Sequence, residues 1–218
     1  MHRALFKKTG TAIWISHLDL MRLFQRAFKR AGLPLTHTQG FNQRPSVSIA
    51  LPLSVGVSSD CELLDFTLEE SFSCDEIKNR LNAALVEGVE VLDVYENGRK
   101  LRDLALLECT VDLIYDAGVP QGAAEAVSGL FASDSVIVPK KTKSGVQDQD
   151  LIPMIRKLAV TEGQGNGLQL HGVVCCQNPT LNPAQLALAV STHLPDFKPD
   201  HSVCHRIEIF DPQESIFR

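Results

Sequence analysis

Two histidines bracket the most basic stretch of this chain, His17 at its start and His37 just past it. A pair of imidazoles beside a bound polyanion can serve as general acid and general base, including cleavage of an RNA strand through its own 2′-hydroxyl. Between them Arg22, Arg26, Lys29 and Arg30 recur at i, i+4, i+7 and i+8. On a helix that spacing projects all four side chains from one side. Such a row suits a phosphate backbone, because each neutralised phosphate releases counterions. Arg3, Lys7, Lys8 and Arg44 are expected to extend the row if the first strand and the following loop lie close to it.

The segment Thr38-Gln39-Gly40-Phe41-Asn42-Gln43-Arg44-Pro45 carries a different chemistry. Gly40 allows close backbone approach, and Phe41 offers either a ring for stacking on a base or a plug for the core. Gln39 and Asn42 can read hydrogen-bonding edges, and Arg44 can take a phosphate. Further on, Lys141 and Lys143 in Lys140-Lys141-Thr142-Lys143 form a short basic run that offers a second phosphate contact, although a solvated loop explains it better.

Other chemistries find little support. The six cysteines at 61, 74, 109, 175, 176 and 204 include no Cys-x-x-Cys pair, so neither a disulfide framework nor a zinc or iron–sulfur ligand set is expected. They read as buried free thiols. His201 and His205 flank Cys204, but no third ligand stands at local spacing, and no metal is expected. The glycines between 163 and 167 lack the Gly-x-Gly-x-x-Gly arrangement that opens a helix on a phosphate and read as a hairpin connection. No cofactor is expected.

Charge is distributed unevenly. The first 50 residues hold eight Lys or Arg against Asp19 alone, a balance of +7, while the rest of the chain sums to −12 within an overall −5. Sign asymmetry of this kind bears on partners more than on fold. With a sequence pI near 5.8, any nucleic-acid binding must work through that local patch. No apolar run approaches the roughly 18 residues a membrane span needs, and the N-terminus lacks a signal-peptide pattern, so a cytoplasmic protein is expected.

The elements that must hold these residues follow from periodicity. Arg3 to Lys8 reads as a strand. Ser16 reads as a helix cap, with Asp19 three residues on. Leu20, Leu23, Phe24, Ala27, Phe28 and Ala31 form one apolar stripe, and Gly32 and Pro34 end the helix. Strands follow at 47–53 and 62–68. A helix capped by Ser73, with Glu76 in the second capping position, carries Ile77, Leu81, Ala84 and Leu85, and a strand runs over 89–95. The order β-α-β-β-α-β is the ferredoxin-like pattern. A linker at 97–103 precedes a second half with strands at 106–115, 135–140, 156–162, 168–176 and 202–210, and helices at 120–131 and 183–193. The expected fold is therefore α+β, with two tandem ferredoxin-like halves and antiparallel sheets, over 1–97 and 104–218. The segment 141–153 is expected to be an inserted mobile loop.

Ser16-His17-Leu18-Asp19, the run Arg26 to Pro34, Gln39-Gly40-Phe41-Asn42 and Leu51-Pro52-Leu53-Ser54-Val55-Gly56 together resemble the radical-SAM-linked protein family, a bacterial domain of unknown function found alone or fused to cobalamin-binding radical SAM proteins. The resemblance is strongest over residues 1–95. In the second half, the 140–143 run and Asp150 resemble a feature of the family. The family loop reads Gly-Phe-Asn-Pro-His-Pro where this chain has Gly40-Phe41-Asn42-Gln43-Arg44-Pro45, so a histidine is replaced by Arg44 and no role carries over from it. The resemblance implies a cobalamin-binding radical SAM protein as partner. It also implies an RNA substrate, because members are encoded near ribonuclease and ribosomal-protein genes. The chain has no Cys-x3-Cys-x2-Cys and so cannot itself hold the radical SAM cluster by that motif.

Three readings follow. The first is an accessory protein that binds or presents RNA through Arg22, Arg26, Lys29, Arg30, Gln39, Phe41, Asn42, Arg44, Lys141 and Lys143. The second is a metal-independent endoribonuclease using His17 or His37. The third is a protein-only docking module whose basic face meets an acidic partner.

Overall fold

Ala4 and Phe6, alternate residues of the first strand, and Leu20, Phe24, Ala27 and Phe28, spaced by three and four along the first helix, are all buried in one apolar cluster. The two periodicities meet there: a strand shows one face every second residue, a helix every third or fourth. Phe6 meets Phe24 edge-on at 4.8 Å, and Phe28 meets Phe66 at 4.8 Å. Burying each such ring contributes about 2–3 kcal/mol.

The computed structural model describes residues 1–39, 41–142, 145–163 and 165–218, with 141 and 142 described by their backbone alone. The chain divides into two compact units, residues 1–103 with 217–218, and residues 104–216.

In the first unit the order is β1 (His2–Lys8), a 3-10 turn (Gly10–Trp14), α1 (His17–Arg30), β2 (Val47–Ile49), β3 (Ser58–Phe66), α2 (Cys74–Ala84) and β4 (Val89–Glu96). β1 lies between β4 and β3, β2 pairs with β3, and every pairing is antiparallel. Both helices start as the sequence indicates. Ser16 accepts from the Asp19 N–H at 3.3 Å, and Ser73 accepts from the Glu76 N–H at 3.2 Å. β2 is shorter than the expected 47–53, and Leu51 sits at positive φ just beyond it.

In the second unit the order is β5 (Leu106–Ile114), α3 (Ala123–Phe131), β6 (Ile137–Thr142), β7 (Gly145–Asp150), β8 (Ile155–Glu162), β9 (Gly167–Cys175), α4 (Ala184–His193) and β10 (His201–Phe210). The sheet runs β10-β5-β9-β8, again antiparallel throughout. Counting sheet strands in chain order within each unit, both sheets run fourth, first, third, second.

Two expectations for this unit need correction. Within the stretch 141–153 the described residues form regular elements in place of the expected loop: β7 pairs with β6 from Ile137↔Asp150 to Thr142↔Gly145, and a 3-10 turn follows. The strand expected at 135–140 is not the second strand of the sheet, since β6 and β7 form a separate two-stranded ribbon and β8 takes that place. Asp150 closes the ribbon's base. Its carboxylate accepts from the Val136 N–H at 2.9 Å and the Ile152 N–H at 3.1 Å, bonds that favour the charged form and hold its pKa below the ordinary carboxylate range.

The chain is thus a mixed α+β protein with mostly antiparallel sheet and, among the described residues, four α-helices. No described helix is long and apolar enough to cross a membrane.

Candidate nucleic-acid interface

Because α1 turns Leu20, Phe24, Ala27 and Phe28 inward, its other side must face water. Leu18, Asp19, Arg22, Arg26, Lys29 and Arg30 are all exposed there. The four expected cations do share an outer face, but they are not equivalent. Arg22 donates to Asp19 Oδ1 at 2.9 Å and remains two-thirds exposed. Asp19 is held in its charged form by the Ser16 hydroxyl first and by Arg22 second. The side chains of Arg26 and Lys29 donate no hydrogen bond to a described residue. Arg30 is committed to the fold: its Nη2 donates to the carbonyl of Ala84, the last residue of α2, at 2.6 Å. Arg80 of α2 returns the contact weakly, reaching the Ala31 carbonyl at 3.4 Å. Each helix C-terminus therefore receives a guanidinium from the other, which satisfies orphan carbonyls and complements both dipoles.

The expected extension through β1 does not form. Arg3 and Lys8 are 2% and 1% exposed. Arg3 makes a two-pronged pair with Asp65 at 2.6 and 3.0 Å and donates to the Arg99 carbonyl at 2.8 Å. A buried guanidinium needs such partners, because an unpaired buried charge is costly. Lys8 donates to the carbonyls of Ile13 at 3.1 Å and Ile15 at 2.8 Å, and burial pushes its ammonium below the usual lysine range. Lys7 reaches the surface but pairs with Glu90 at 2.7 Å.

The 38–44 loop is pinched at its base and open at its tip. Thr38 and Arg44 exchange two bonds, Thr38 N–H to the Arg44 carbonyl at 2.8 Å and Arg44 N–H to Thr38 Oγ1 at 3.0 Å. His37 bridges Pro45, and Ser46 donates to the Thr36 carbonyl at 2.7 Å. Phe41 stands at the tip with 105% of its reference surface in water, so it does not plug the core. Gln39, Asn42 and Arg44 are exposed around it. Gly40 lies outside the described residues.

The histidines are not brought together. His17 opens α1 half-buried, its imidazole with no hydrogen bond or ion pair to a described residue. His37 lies at the loop base, 4.0 Å from Glu69 Oε1. No described hydrogen bond or ring contact links the two imidazoles. In the second unit Lys140 donates to the Thr180 carbonyl at 3.2 Å. The side chain of Lys141, and Lys143 altogether, lie outside the described residues.

Sequence reasoning missed Trp14. It sits in the apolar run 12–15, which reads as interior, yet it is 68% exposed. The signal that could have found it is the pairing of a lone tryptophan with a glycine at 56: a Cβ on Gly56 would stand 3.3 Å from Trp14 Cζ3.

With this geometry in hand the chain can be placed. It is an α+β protein whose first unit holds a helix face with exposed Arg22, Arg26 and Lys29 and the exposed rings of Trp14 and Phe41. Residues 2–183 match the family described as an uncharacterized protein conserved in bacteria (DUF2344), and the chain belongs to that family. Among solved structures it is similar to a chain in the crystal structure of a Cbf5-Nop10-Gar1 complex, at 11% identity and a TM-score of 0.53, over 95% of this chain and 48% of that one. The chain thus spans about half the length of that relative, and the likeness concerns the fold alone. It is also similar to an unknown protein from Galdieria sulphuraria, at 14% identity, covering 94% and 95% of the two chains with a TM-score of 0.27. No curated protein matches the sequence.

Proposed function

We propose that this protein binds or presents RNA through the outer face of α1 and the 38–44 loop, as a cytoplasmic accessory to a cobalamin-binding radical SAM enzyme. The observation that carries the RNA reading is the state of Arg22, Arg26 and Lys29: one helix face, exposed, with Asp19 as its one acidic neighbour in the first 50 residues. A solvated structural helix ordinarily intersperses acids through i,i+4 pairs. The radical SAM association rests on the sequence resemblance. The fourth-first-third-second strand order in each unit supports reading the chain as two tandem ferredoxin-like halves, the second carrying the β6–β7 ribbon as an insertion.

A protein-only docking role is the second reading, favoured by Leu18 and Phe41, which place apolar surface in water on α1 and on the 38–44 loop. The ribonuclease reading has no comparable support, because nothing described joins His17 to His37. The test is binding to labelled total bacterial RNA at low and moderate salt, beside an Arg22→Glu/Arg26→Glu/Lys29→Glu variant. Binding that weakens with salt and is lost in the variant is expected. Absence of binding at low salt would overturn the RNA reading and leave the docking one.

A further inference from the structure

Trp14 is the chain's one tryptophan, and about two-thirds of it lies in water. A large indole left exposed forgoes the burial that such a side chain normally contributes. Yet its backbone is held on several sides. The Ile15 N–H donates to the Ala12 carbonyl at 2.9 Å, closing the 3-10 turn. The buried Lys8 ammonium grips the carbonyls on either side of Trp14, those of Ile13 and Ile15. The Gly56 N–H donates to the same Ile13 carbonyl at 2.9 Å.

Gly56 also makes the seat for the ring. Its φ of +84° is the left-handed region that glycine tolerates, and a Cβ there would meet Cζ3, Cη2 and Cε3 of the indole at 3.3–4.0 Å. The six-membered ring rests on bare backbone, and the remainder of the indole faces solvent. This aromatic is positioned before any ligand arrives, so little ordering cost remains to be met on binding.

The helix that begins three residues after Trp14 indicates the ligand. Leu18, 66% exposed, is followed at four-residue steps by exposed Arg22 and Arg26, with Lys29 beyond. From Leu18 to Lys29 the row runs roughly 17 Å along the helix. A seated ring at one end of a cationic track is the arrangement that takes an unpaired strand, with a base on the ring and phosphates along the cations. In a duplex each base is already covered above and below and offers no free face.

We propose that Trp14 is a base-stacking platform, and that the first unit takes single-stranded rather than double-stranded RNA. This rests on the RNA reading above and names the form of its ligand.

The experiment uses the full chain with fluorescein-labelled oligoadenylate of about twelve nucleotides, and a duplex of equal length. Anisotropy of the label reports binding, and emission of the single tryptophan reports stacking. The single strand is expected to bind at least about tenfold more tightly than the duplex and to quench most of the Trp14 emission. Trp14→Ala is expected to weaken single-strand binding about tenfold and leave duplex binding unchanged, and Trp14→Phe to restore most of the loss. Polyglutamate, a polyanion without rings, is expected to leave the emission unchanged. Anisotropy change without quenching, equal losses for both RNA forms in Trp14→Ala, or quenching by polyglutamate would each overturn the stacking role while leaving RNA binding intact. No anisotropy change with either RNA would overturn the RNA reading itself, and this inference with it.

Discussion

Helices α1 and α4 each lay an apolar stripe on their own sheet, Leu20, Phe24, Ala27 and Phe28 in one, Leu186, Ala187, Ala189 and Val190 in the other. What they turn to water differs. α1 shows Arg22, Arg26, Lys29 and Arg30, whereas Ala184–His193 contains no lysine, arginine, aspartate or glutamate. The strands run in the same order in both units, so the architecture does not require charge on the outer face of a covering helix. The cations of α1 answer some other demand, with one exception: Arg30 caps α2.

The comparison makes the two inner stripes equivalent, and that can be broken first. Phe24→Ala is expected to cost about 3–5 kcal/mol and Leu186→Ala about 2–5 kcal/mol, because both side chains are fully buried and their cavities collapse only in part. Urea unfolding monitored by circular dichroism measures both. A loss under about 1 kcal/mol in either would mean that its stripe does not carry its unit.

The outer faces should separate by function. Reversing Arg22, Arg26 and Lys29 together should reduce RNA affinity at least about tenfold and shrink the salt slope by about 2, at roughly 0.7 per phosphate contact on a single strand. Lys157→Glu, an exposed change in the second unit, should leave both unchanged. Filter binding across a salt series reads the difference, and equal losses would erase the functional contrast.

Alkaline pH sharpens the comparison through the second unit. Burial pushes the Cys109 and Cys176 thiols up to about 12 and Cys204 up to about 11. The unfolded chain releases these protons from about pH 9 upward while the folded one keeps them, so stability falls as pH rises through that window. Each thiol contributes up to about 1.4 kcal/mol per pH unit. Urea midpoints should therefore drop between about pH 8 and pH 10, and Cys109→Ala should make the drop shallower. An unchanged slope would mean that the thiol is not sheltered.

The smallest effect tests the exception. Arg30→Gln should cost about 0.5–1 kcal/mol through the lost bond to Ala84, while weakening RNA binding less than Arg26→Gln does. The reverse ranking would return Arg30 to the binding row.

How much could be read in advance depended on the range of the interactions. The α1 stripe, the Ser16 and Ser73 caps and the order of elements in the first unit rest on local periodicity and on residues within a turn of each other. The burial of Arg3 was illegible because its partner, Asp65, lies 62 positions away. β7 was hidden by its composition: Gly145–Asp150 has a single apolar residue, Val146, because neither face of the ribbon there is covered enough to need the alternation that marks a strand. Phe41 and Trp14 were ambiguous for the opposite reason. An aromatic in a sequence predicts burial by default, and only the pinched loop and the Gly56 seat place these rings outside.

The last residues of the chain carry a consequence for the order in which the molecule can be built. Phe217 is fully buried and lies under two guanidinium groups of the first unit, those of Arg3 and Arg99. Its neighbour Arg218 accepts the Arg99 N–H at 2.9 Å. During synthesis, the unit whose first strand emerges earliest therefore waits for position 217 before it is finished. The second unit draws on residues 104 to 216 alone, a single continuous segment. Truncation just before Phe217 would leave the second unit whole and expose the flank of the first.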